Sequence, residues 1–371
     1  MGEKSMTKPR RGCVLVTGGA GYIGSHVVLA LRRAARPAVV LDNLSTGDAS
    51  AVPRGVPLQI GDVADRALVD KVIEHYRVSV VIHLAGSVIV PESVREPIAY
   101  YRNNTEASRA LIAACAAGGV EQFVFSSTAA VYGQPVRLPV AEDALACPLN
   151  PYGRSKLMTE WMLRDADAAY GLRHVVLRYF NVAGADALGR AGFSSRQSGH
   201  LIKVACETAL GRRDVLPIHG TDYPTRDGTC IRDFIHVADL ASAHVAALRY
   251  LDQGGQSAVL NCGYGRGFSV REVVAAVEAV IGRRLPVAAG PRRPGDAAEV
   301  VADVRRIRAA LDWQPAFDDL GTIVAHTLAR QQREQNAREE RRPVTSMRSD
   351  SNPPDNAAQA SWFEMPSSNI A

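Results

Sequence analysis

The sequence has few cysteines, and none of them falls in a recognisable pairing pattern. There is no Cys-x-x-Cys motif and no cluster of cysteine and histidine at the spacing of a metal site. This composition does not fit a disulfide-stapled secreted domain, and it predicts reduced thiols in a cytoplasmic protein without a metal. The cysteines are Cys13, Cys115, Cys147, Cys206, Cys230 and Cys262.

The sequence also lacks a long apolar run and a strong net charge. No apolar stretch reaches the length of about 18 residues that a membrane span needs, and residues 1–6 contain no apolar core of a signal peptide. The formal net charge is only +5, and much of the excess lies near the two ends. We therefore expect no membrane segment, no secretion and no nucleic-acid partner.

Glycine, in contrast, recurs at a regular spacing in one segment near the start of the chain. Gly18, Gly21 and Gly24 follow the apolar run 13–16 and precede a helix-like stretch at 25–31. The first glycine permits a tight turn, the second lets the backbone approach a pyrophosphate, and the third lets a helix pack on a strand. N–H groups at the start of that helix would face the anion. The segment predicts a dinucleotide-binding turn.

Further apolar runs at 38–41, 58–60, 78–83 and 122–125 each end in polar or small residues. Asp42 ends the first of them, 18 residues beyond Gly24, where a carboxylate would bind the adenosine ribose diol and repel a 2′-phosphate. NAD is therefore favoured over NADP. Asp62 follows the next run and could reach the adenine edge; a solvated loop acid or a helix cap is the alternative for both carboxylates.

These runs alternate with helix-like stretches such as 66–75 and 107–117 up to about residue 180. The rhythm predicts an α/β protein with a Rossmann-type doubly wound parallel sheet and a smaller C-terminal α/β substrate-binding domain. We expect a flexible N-terminus at 1–11, a mainly NAD-binding domain at 12–180 and a mainly substrate-binding domain at 181–330. The polar segment 331–371 is predicted to be a disordered tail.

Tyr152 and Lys156 are spaced i and i+4, which places both on one face of a helix. An ammonium beside a phenol stabilises the phenolate and lowers its pKa, so that the tyrosine can act as a base near neutral pH. The pair is common by chance, and a surface helix pair is the alternative. The glycine turn and residues 126–128 at the end of the fifth strand make it specific.

Several strings in order carry a family resemblance. The chain closely resembles the extended short-chain dehydrogenase/reductase family over about residues 11–330, and within it the enzymes that invert C4 of UDP-glucose. The matching strings are 17–26, 42–44, 83–86, 101–104, 125–133, 150–156, 177–181 and 225–237.

The resemblance implies that Tyr152 takes the proton of the sugar 4-hydroxyl while C4 passes a hydride to NAD. Hydride returns to the opposite face of a 4-keto sugar, so that C4 is inverted and the cofactor regenerated. Thr128 would relay the proton, and Lys156 would hold the nicotinamide ribose. The catalytic residues implied are thus Thr128, Tyr152 and Lys156.

The cofactor residues are predicted from the glycine turn, the strand ends and the family resemblance. The substrate residues are those that the resemblance implies. Those predicted to line NAD are Gly18, Gly21, Tyr22, Ile23, Gly24, Asp42, Asn43, Asp62, Val63, Leu84, Ala85, Gly86, Asn103, Ser126, Tyr152, Lys156 and Phe180. Those predicted to hold the UDP-sugar are Thr128, Tyr152, Asn181, His200, Leu201, Arg232, Arg293, Asp296 and Val300.

Three positions depart from the family pattern. Val88 stands where many relatives carry a lysine aimed at the cofactor diphosphate, which predicts an exchangeable NAD. Val300 stands where the family places a tyrosine or a smaller residue beside the sugar C2 substituent, which leaves room for an N-acetyl group. Segment 194–199 matches poorly.

The alternatives are C4 epimerisation of UDP-N-acetylglucosamine or of UDP-pentoses, a UDP-glucuronate decarboxylase, and a catalytically silent NAD-sensing interaction module. A 4,6-dehydratase is disfavoured because Ala129 and Ala130 offer no acid or base after the threonine. The family implies a homodimer, and Leu157, Met158, Trp161 and Met162 form an apolar stripe that suits a helix-bundle interface or plain core.

Overall fold

The computed structural model describes residues 12–192, 200–293 and 296–340. The strands in these ranges are β1 Cys13–Thr17, β2 Ala38–Asp42, β3 Leu58–Ile60, β4 Val78–His83, β5 Gln122–Thr128, β6 Arg173–Tyr179, β7 Asn181–Ala183, β8 Leu216–His219, β9 Ile231–His236, β10 Ala258–Cys262, β11 Gly267–Ser269, β12 Val287–Gly290 and β13 Glu299–Val300.

The α-helices in the same ranges are α1 Tyr22–Arg33, α2 Arg66–Tyr76, α3 Val90–Arg95, α4 Pro97–Tyr100, α5 Ala107–Ala117, α6 Pro151–Tyr170, α7 Leu201–Ala209, α8 Val237–Asp252, α9 Val270–Ile281, α10 Arg305–Leu311 and α11 Leu320–Glu340. Short 3₁₀ turns occupy Ala49–Ala51 and Ala129–Tyr132, and a π-helical turn occupies Tyr101–Glu106. No helix in the described ranges is long and apolar enough to cross a membrane.

Seven parallel strands form the main sheet in the order β10-β6-β5-β4-β1-β2-β3. The chain runs outward from β1 through β2 and β3, then returns to β4 on the other side of β1 and continues through β5 and β6. A crevice therefore opens between the carboxyl ends of β1 and β4, which is where open α/β sheets bind ligands. This confirms the predicted doubly wound fold.

Both faces of the main sheet are covered, as its continuous apolar strands require. Val14 and Val16 pack in one core with residues of α1 and α8, whereas Leu15 packs in a second core with residues of α2 and α5. The alternation follows from the two-residue period of a strand.

The smaller sheet is organised by β9. It pairs with β7 and β13 in parallel and with β11 antiparallel, and β8 pairs separately with β12. Residues beyond 180 also complete the main sheet, because β10 pairs with β6 and α8 packs against α1. The two halves of the chain are thus interleaved.

The expected start of the tail at residue 331 lies inside α11, so the prediction of disorder is wrong for 331–340. Gln331 is 3% exposed, and its Nε2 donates to the carbonyl of Lys203 at 3.1 Å. Arg212 also donates to the carbonyl of Gln331. Polar side chains here are buried through hydrogen bonds rather than apolar packing, which composition does not reveal. The predicted flexible ends at 1–11 and 341–371 lie outside the described residues.

Candidate active site

The glycine turn has the geometry that its sequence predicts. Gly18 has φ of +70°, and a Cβ there would lie 2.6 Å from the backbone nitrogen of Ala85. A Cβ on Gly24 would lie 2.1 Å from the carbonyl oxygen of Gly18. Glycine is therefore required at both positions, because α1 begins directly against the turn. No described side chain caps α1, so its first turn can present backbone N–H groups to an anion.

Asp42 ends β2 and is 7% exposed. Its Oδ2 accepts from the backbone N–H of Ala20 at 2.9 Å, and its Oδ1 accepts from that of Leu44 at the same distance. The carboxylate therefore holds the glycine turn to the loop after β2. Each oxygen keeps a second lone pair, so a ribose diol can still be bound.

Two other predicted cofactor residues, Asn43 and Asp62, are hydrogen-bonded to one another. The side-chain amide of Asn43 donates to Asp62 Oδ2 at 3.1 Å, and Asp62 Oδ1 accepts from the N–H of Ala64 at 2.9 Å. Asp62 is exposed while Val63 is buried. The carboxylate of Asp62 therefore also stabilises its own loop, which agrees with the alternative interpretation of this residue as a loop acid.

The loop after β4 is fixed by two asparagines of the π-helical turn. The Nδ2 of Asn103 donates to Ser87 Oγ at 2.8 Å. Asn104 Oδ1 accepts from the N–H of Ser87 at 2.7 Å, while its Nδ2 donates to the carbonyl of Ser87 at 2.9 Å and to Ser155 Oγ at 3.0 Å. Asn104, which sequence reasoning missed, joins the predicted segment 84–86 to α6. A π-helical turn often marks a functional site.

His83 forms a second buried link that the sequence analysis did not assign. Its Nδ1 lies 2.7 Å from Thr17 Oγ1, and its Nε2 lies 2.8 Å from Ser108 Oγ. Burial, together with the charge of Lys156, lowers the pKa of His83 to about 3, so the ring is neutral at physiological pH. Ser108 donates to the carbonyl of Asn104. The chain of hydrogen bonds fixes β1 to β4 at the crevice.

The predicted catalytic residues come together at the carboxyl end of β5. Tyr152 and Lys156 lie on α6, and the phenol of Tyr152 is hydrogen-bonded to the side chain of Thr128. Lys156 is 2% exposed, and its Nζ lies 5.0 Å from the centre of the Phe125 ring. A Cβ on Gly86 would lie 3.4 Å from the same Nζ, so the ammonium borders the crevice.

The pKa values of this pair differ from the expectation. Burial raises the pKa of Tyr152, and the hydrogen bond to Thr128 offsets this only in part. Burial lowers the pKa of Lys156 to about 8. The lowered pKa that the sequence predicts for Tyr152 is therefore not found in the protein alone, because desolvation outweighs the hydrogen bond to Thr128.

Ser126 and Phe180 line the same end of the sheet. Ser126 is half-buried near the end of β5 and is hydrogen-bonded to Tyr179, whose hydroxyl also meets His244 Nε2. Phe180 is buried, and its N–H donates to the carbonyl of Cys262 at 3.3 Å. Tyr22, at the start of α1, donates from its hydroxyl to the carbonyl of Gly184 at 2.7 Å.

The predicted nucleotide-binding residues gather around β9. Arg232 Nη2 lies 3.8 Å from Asp296 Oδ1, and Val300 of β13 stands opposite Arg232 in the parallel pairing. Arg293 is exposed, and the N–H of Asp296 donates to its carbonyl at 3.2 Å. These four residues form one patch.

His219 at the end of β8 belongs to this patch but was not predicted. Burial and the charge of Arg293 lower its pKa, whereas Asp296 opposes them. Its sequence context, Pro217 to Gly220, carries no signal of a site.

Three other predicted residues begin the neighbouring elements. Asn181 starts β7 and is half-buried, His200 precedes α7, and Leu201 opens it. The segment 194–199 that departs from the family pattern lies outside the described residues. Within the described ranges, no group of three or more His, Cys, Asp or Glu could hold a metal ion, and all six cysteines are free.

Known proteins are similar to this chain over most of its length. Residues 14–263 match the model of the NAD dependent epimerase/dehydratase family, and the chain belongs to that family. It is 56% identical to a UDP-glucose 4-epimerase of Azospirillum brasilense over 329 residues, covering 89% of this chain and 94% of the relative.

Solved structures of epimerases are also similar to this chain. One is a UDP-glucose 4-epimerase from Brucella ovis in complex with NAD, at a TM-score of 0.83 and 46% identity, covering 86% of this chain and 98% of that chain. Another is the UDP-Glc/GlcNAc 4-epimerase of Campylobacter jejuni, at a TM-score of 0.77 and 44% identity, covering 87% of this chain and 99% of that chain.

Proposed function

We propose that this chain catalyses the reversible C4 epimerisation of UDP-glucose and UDP-galactose through a 4-keto intermediate. The observation that carries the proposal is the hydrogen bond between Thr128 and Tyr152, with the buried ammonium of Lys156 one helical turn away. A phenol that is hydrogen-bonded to a hydroxyl, on the same helix face as a buried ammonium, can take up and return the proton of a sugar hydroxyl.

The residues of the crevice fit NAD, which supplies a reversible hydride acceptor for sugar C4 when bound. The glycine turn approaches the diphosphate, and Asp42 binds the adenosine ribose and repels a 2′-phosphate. Lys156 binds the nicotinamide ribose, and segment 84–86, Asn103, Ser126 and Phe180 complete the wall. A Cβ at Gly18 would clash with the backbone of Ala85, and one at Gly24 with the carbonyl oxygen of Gly18, so only glycine permits a turn this tight.

In the reaction, Tyr152 takes the proton of the 4-hydroxyl, and Thr128 hydrogen-bonds the 4-oxygen and relays the proton. The ammonium of Lys156 stabilises the phenolate, and its charge is present below about pH 8. The 4-keto sugar turns over in the pocket before C4 regains hydride on its opposite face. Re-protonation of the 4-oxygen by Tyr152 then completes the inversion.

The UDP portion is held by the patch around β9. Arg232 and Arg293 present planar guanidinium groups that match phosphate oxygens, and Asp296 accepts from the uridine ribose. Asn181, His200 and Leu201 border the same end. The division into a mainly NAD-binding part before residue 180 and a mainly sugar-nucleotide-binding part after it belongs to this proposal.

A silent NAD-sensing module would not need the catalytic set. The hydroxyl, phenol and ammonium of Thr128, Tyr152 and Lys156 are intact, which favours an enzyme. UDP-N-acetylglucosamine and UDP-pentoses share the same oxidation step, so only contacts to the sugar separate them from UDP-glucose.

The homodimer forms through a helix bundle that includes α6 in this proposal. Trp161 is 49% exposed on α6, and Met158 and Met162 are half-buried beside it, whereas Leu157 is buried in the core. A cytoplasmic location is supported by the free cysteines.

The direct test is incubation of the purified protein with UDP-galactose and a trace of NAD, followed by NMR of the sugar nucleotides. We expect UDP-glucose to form without net NADH, and the variant Tyr152→Phe to form at least about a hundredfold less because it lacks the proton-transfer group. Unchanged UDP-galactose with the wild-type protein would refute the proposal.

A further inference from the structure

A buried network of hydrogen-bonded polar side chains lies next to the carboxyl end of β5. Ser126 and Thr128 are half-buried, whereas Ser127 between them is 1% exposed. Successive side chains of a strand point to opposite faces, so Ser127 points away from the side that carries Thr128. Its hydroxyl donates to Oε1 of Glu160. β5, the strand that carries Thr128, is therefore hydrogen-bonded to α6.

Glu160 lies on the helix of the catalytic pair. It follows Lys156 by four residues and Tyr152 by eight, so the three side chains lie along one face of α6. Glu160 is 6% exposed. One carboxylate therefore connects the helix that carries Tyr152 to the strand that carries Thr128.

Arg178 of β6 holds that carboxylate in place. Its Nη2 lies 2.6 Å from Glu160 Oε2, and its Nε donates to Oε1 at 3.1 Å. This is the bidentate arrangement that fixes both distance and plane. Arg178 is also buried.

The hydrogen-bond network extends to Tyr132, in the 3₁₀ turn that follows Thr128. Arg178 Nη1 donates to the hydroxyl of Tyr132 at 2.9 Å, and that hydroxyl donates to Asn261 Oδ1 at 2.6 Å. The guanidinium also stacks over the Tyr132 ring at 4.8 Å. Asn261 lies on β10, so the hydrogen bonds extend from α6 to that strand.

We propose that Ser127, Glu160 and Arg178 are positioning residues that set the distance between Thr128 and Tyr152 for proton transfer, a role that rests on the proposed function. A buried ion pair contributes little net stability, because desolvation offsets its Coulomb attraction. It does define one geometry, and proton transfer between a phenol and a hydroxyl depends on that geometry.

The first test is Ser127→Ala, which removes the bond between strand and helix but leaves the ion pair intact. We expect kcat with UDP-galactose to fall about tenfold while KM changes less than about twofold, because binding groups are untouched and alignment is lost. The matched control is Ser242→Ala, whose hydroxyl accepts from Trp313 Nε1 at 2.8 Å outside the site. The control should lose a comparable bond and keep its kcat.

The second test removes the charges without leaving one unpaired. The double variant Glu160→Leu with Arg178→Met should fold, since apolar replacement of a buried pair is tolerated, and should retain NAD. The kcat of the double variant should fall at least about tenfold. The single variant Arg178→Lys should have a kcat between those of the double variant and the wild type, because it keeps the charge but loses the bidentate geometry.

Wild-type kcat in both Ser127→Ala and the double variant would overturn the positioning role. So would a rate loss matched by the Ser242→Ala control at equal loss of thermal stability. Inactivity of the wild-type protein on UDP-galactose would instead refute the proposed function, so the two failures are distinguishable.

Discussion

The two ends of the crevice are held in different ways. At the catalytic end, Lys156 is 2% exposed and Tyr152 is bonded to Thr128, and buried hydrogen bonds surround them. At the nucleotide end, Arg293 is exposed, and the ion pair of Arg232 with Asp296 spans 3.8 Å. An ion pair as long as this one, with partners that are only partly buried, contributes little energy. We therefore expect the proposed catalytic end to be preorganised and the proposed nucleotide end to become ordered when the ligand binds.

Lys156→Met breaks the catalytic end with the largest effect. We expect at least about a hundredfold loss of kcat, because the phenolate of Tyr152 loses its counter-ion. The same variant should be more stable than wild type without NAD. Burial lowers the pKa of Lys156 to about 8 from about 10.5, so the charged form costs the folded state about 3 kcal/mol.

The sign of this stability effect depends on pH. Below about pH 8 the lysine is charged in both folded and unfolded chains and the penalty is complete; it declines as pH rises towards about 10.5. Urea unfolding should therefore show the gain of Lys156→Met at pH 7 and little of it at pH 10.5. A variant that is less stable than wild type at pH 7 would contradict the assignment.

Arg232→Ala tests the nucleotide end. We expect KM for UDP-galactose to rise about 10- to 100-fold with kcat within about threefold, because a charge-assisted contact to phosphate is lost in ground and transition states alike. Steady-state kinetics measures both. The control is Arg284→Ala, which removes an arginine that is 94% exposed and paired with Glu278. A fall in kcat with constant KM would remove the contrast between the two ends.

The sequence predicts the first half of the fold well and the second half poorly. Strands β1, β2, β4 and β5 are mostly buried on both faces, so each contains an apolar run that is visible in the sequence, whereas the edge strand β3 is short and not buried. Strands β7, β8 and β11 to β13 have two to four residues, too few for a periodic signal. The return of β10 to the main sheet is a long-range pairing that no local pattern encodes.

The site divides in the same way. The glycine turn and the Tyr-x-x-x-Lys pair are local in the sequence and were predicted. Asn104, His83 and Glu160 were missed because each acts through a partner distant in the chain, at Ser87, Thr17 and Ser127 respectively. A polar residue within an apolar run, as at His83, is the one local signal that could have found one of them.

Val300→Tyr sharpens the account of the nucleotide end. Val300 is half-buried opposite Arg232, and we expect the wild-type protein to accept UDP-N-acetylglucosamine as well as UDP-glucose. Tyrosine would clash with the N-acetyl group, so kcat/KM should fall about tenfold more for that sugar than for UDP-glucose. Val287→Tyr, on an exposed strand position, is the control. Wild-type inactivity on UDP-N-acetylglucosamine, with good turnover of UDP-glucose, would refute it.

Val88→Lys should have the smallest effect. Val88 is 59% exposed just after segment 84–86, and its apolar side chain supplies no charge to the cofactor diphosphate. NAD should therefore exchange during dialysis of the wild-type protein. The variant should lower the Kd for NAD up to about fivefold, the range of an exposed ion pair. Val280→Lys on α9 is the control for added charge.

Salt separates this explanation from a change in packing. An attraction between an exposed ammonium and a diphosphate is screened within about 10 Å at 0.1 M salt and within about 3 Å at 1 M. The advantage of Val88→Lys should therefore shrink as salt rises, whereas a packing effect would persist. Wild-type protein that keeps a full complement of NAD through prolonged dialysis would show that the buried contacts of the glycine turn and Lys156 retain the cofactor without a cation at position 88.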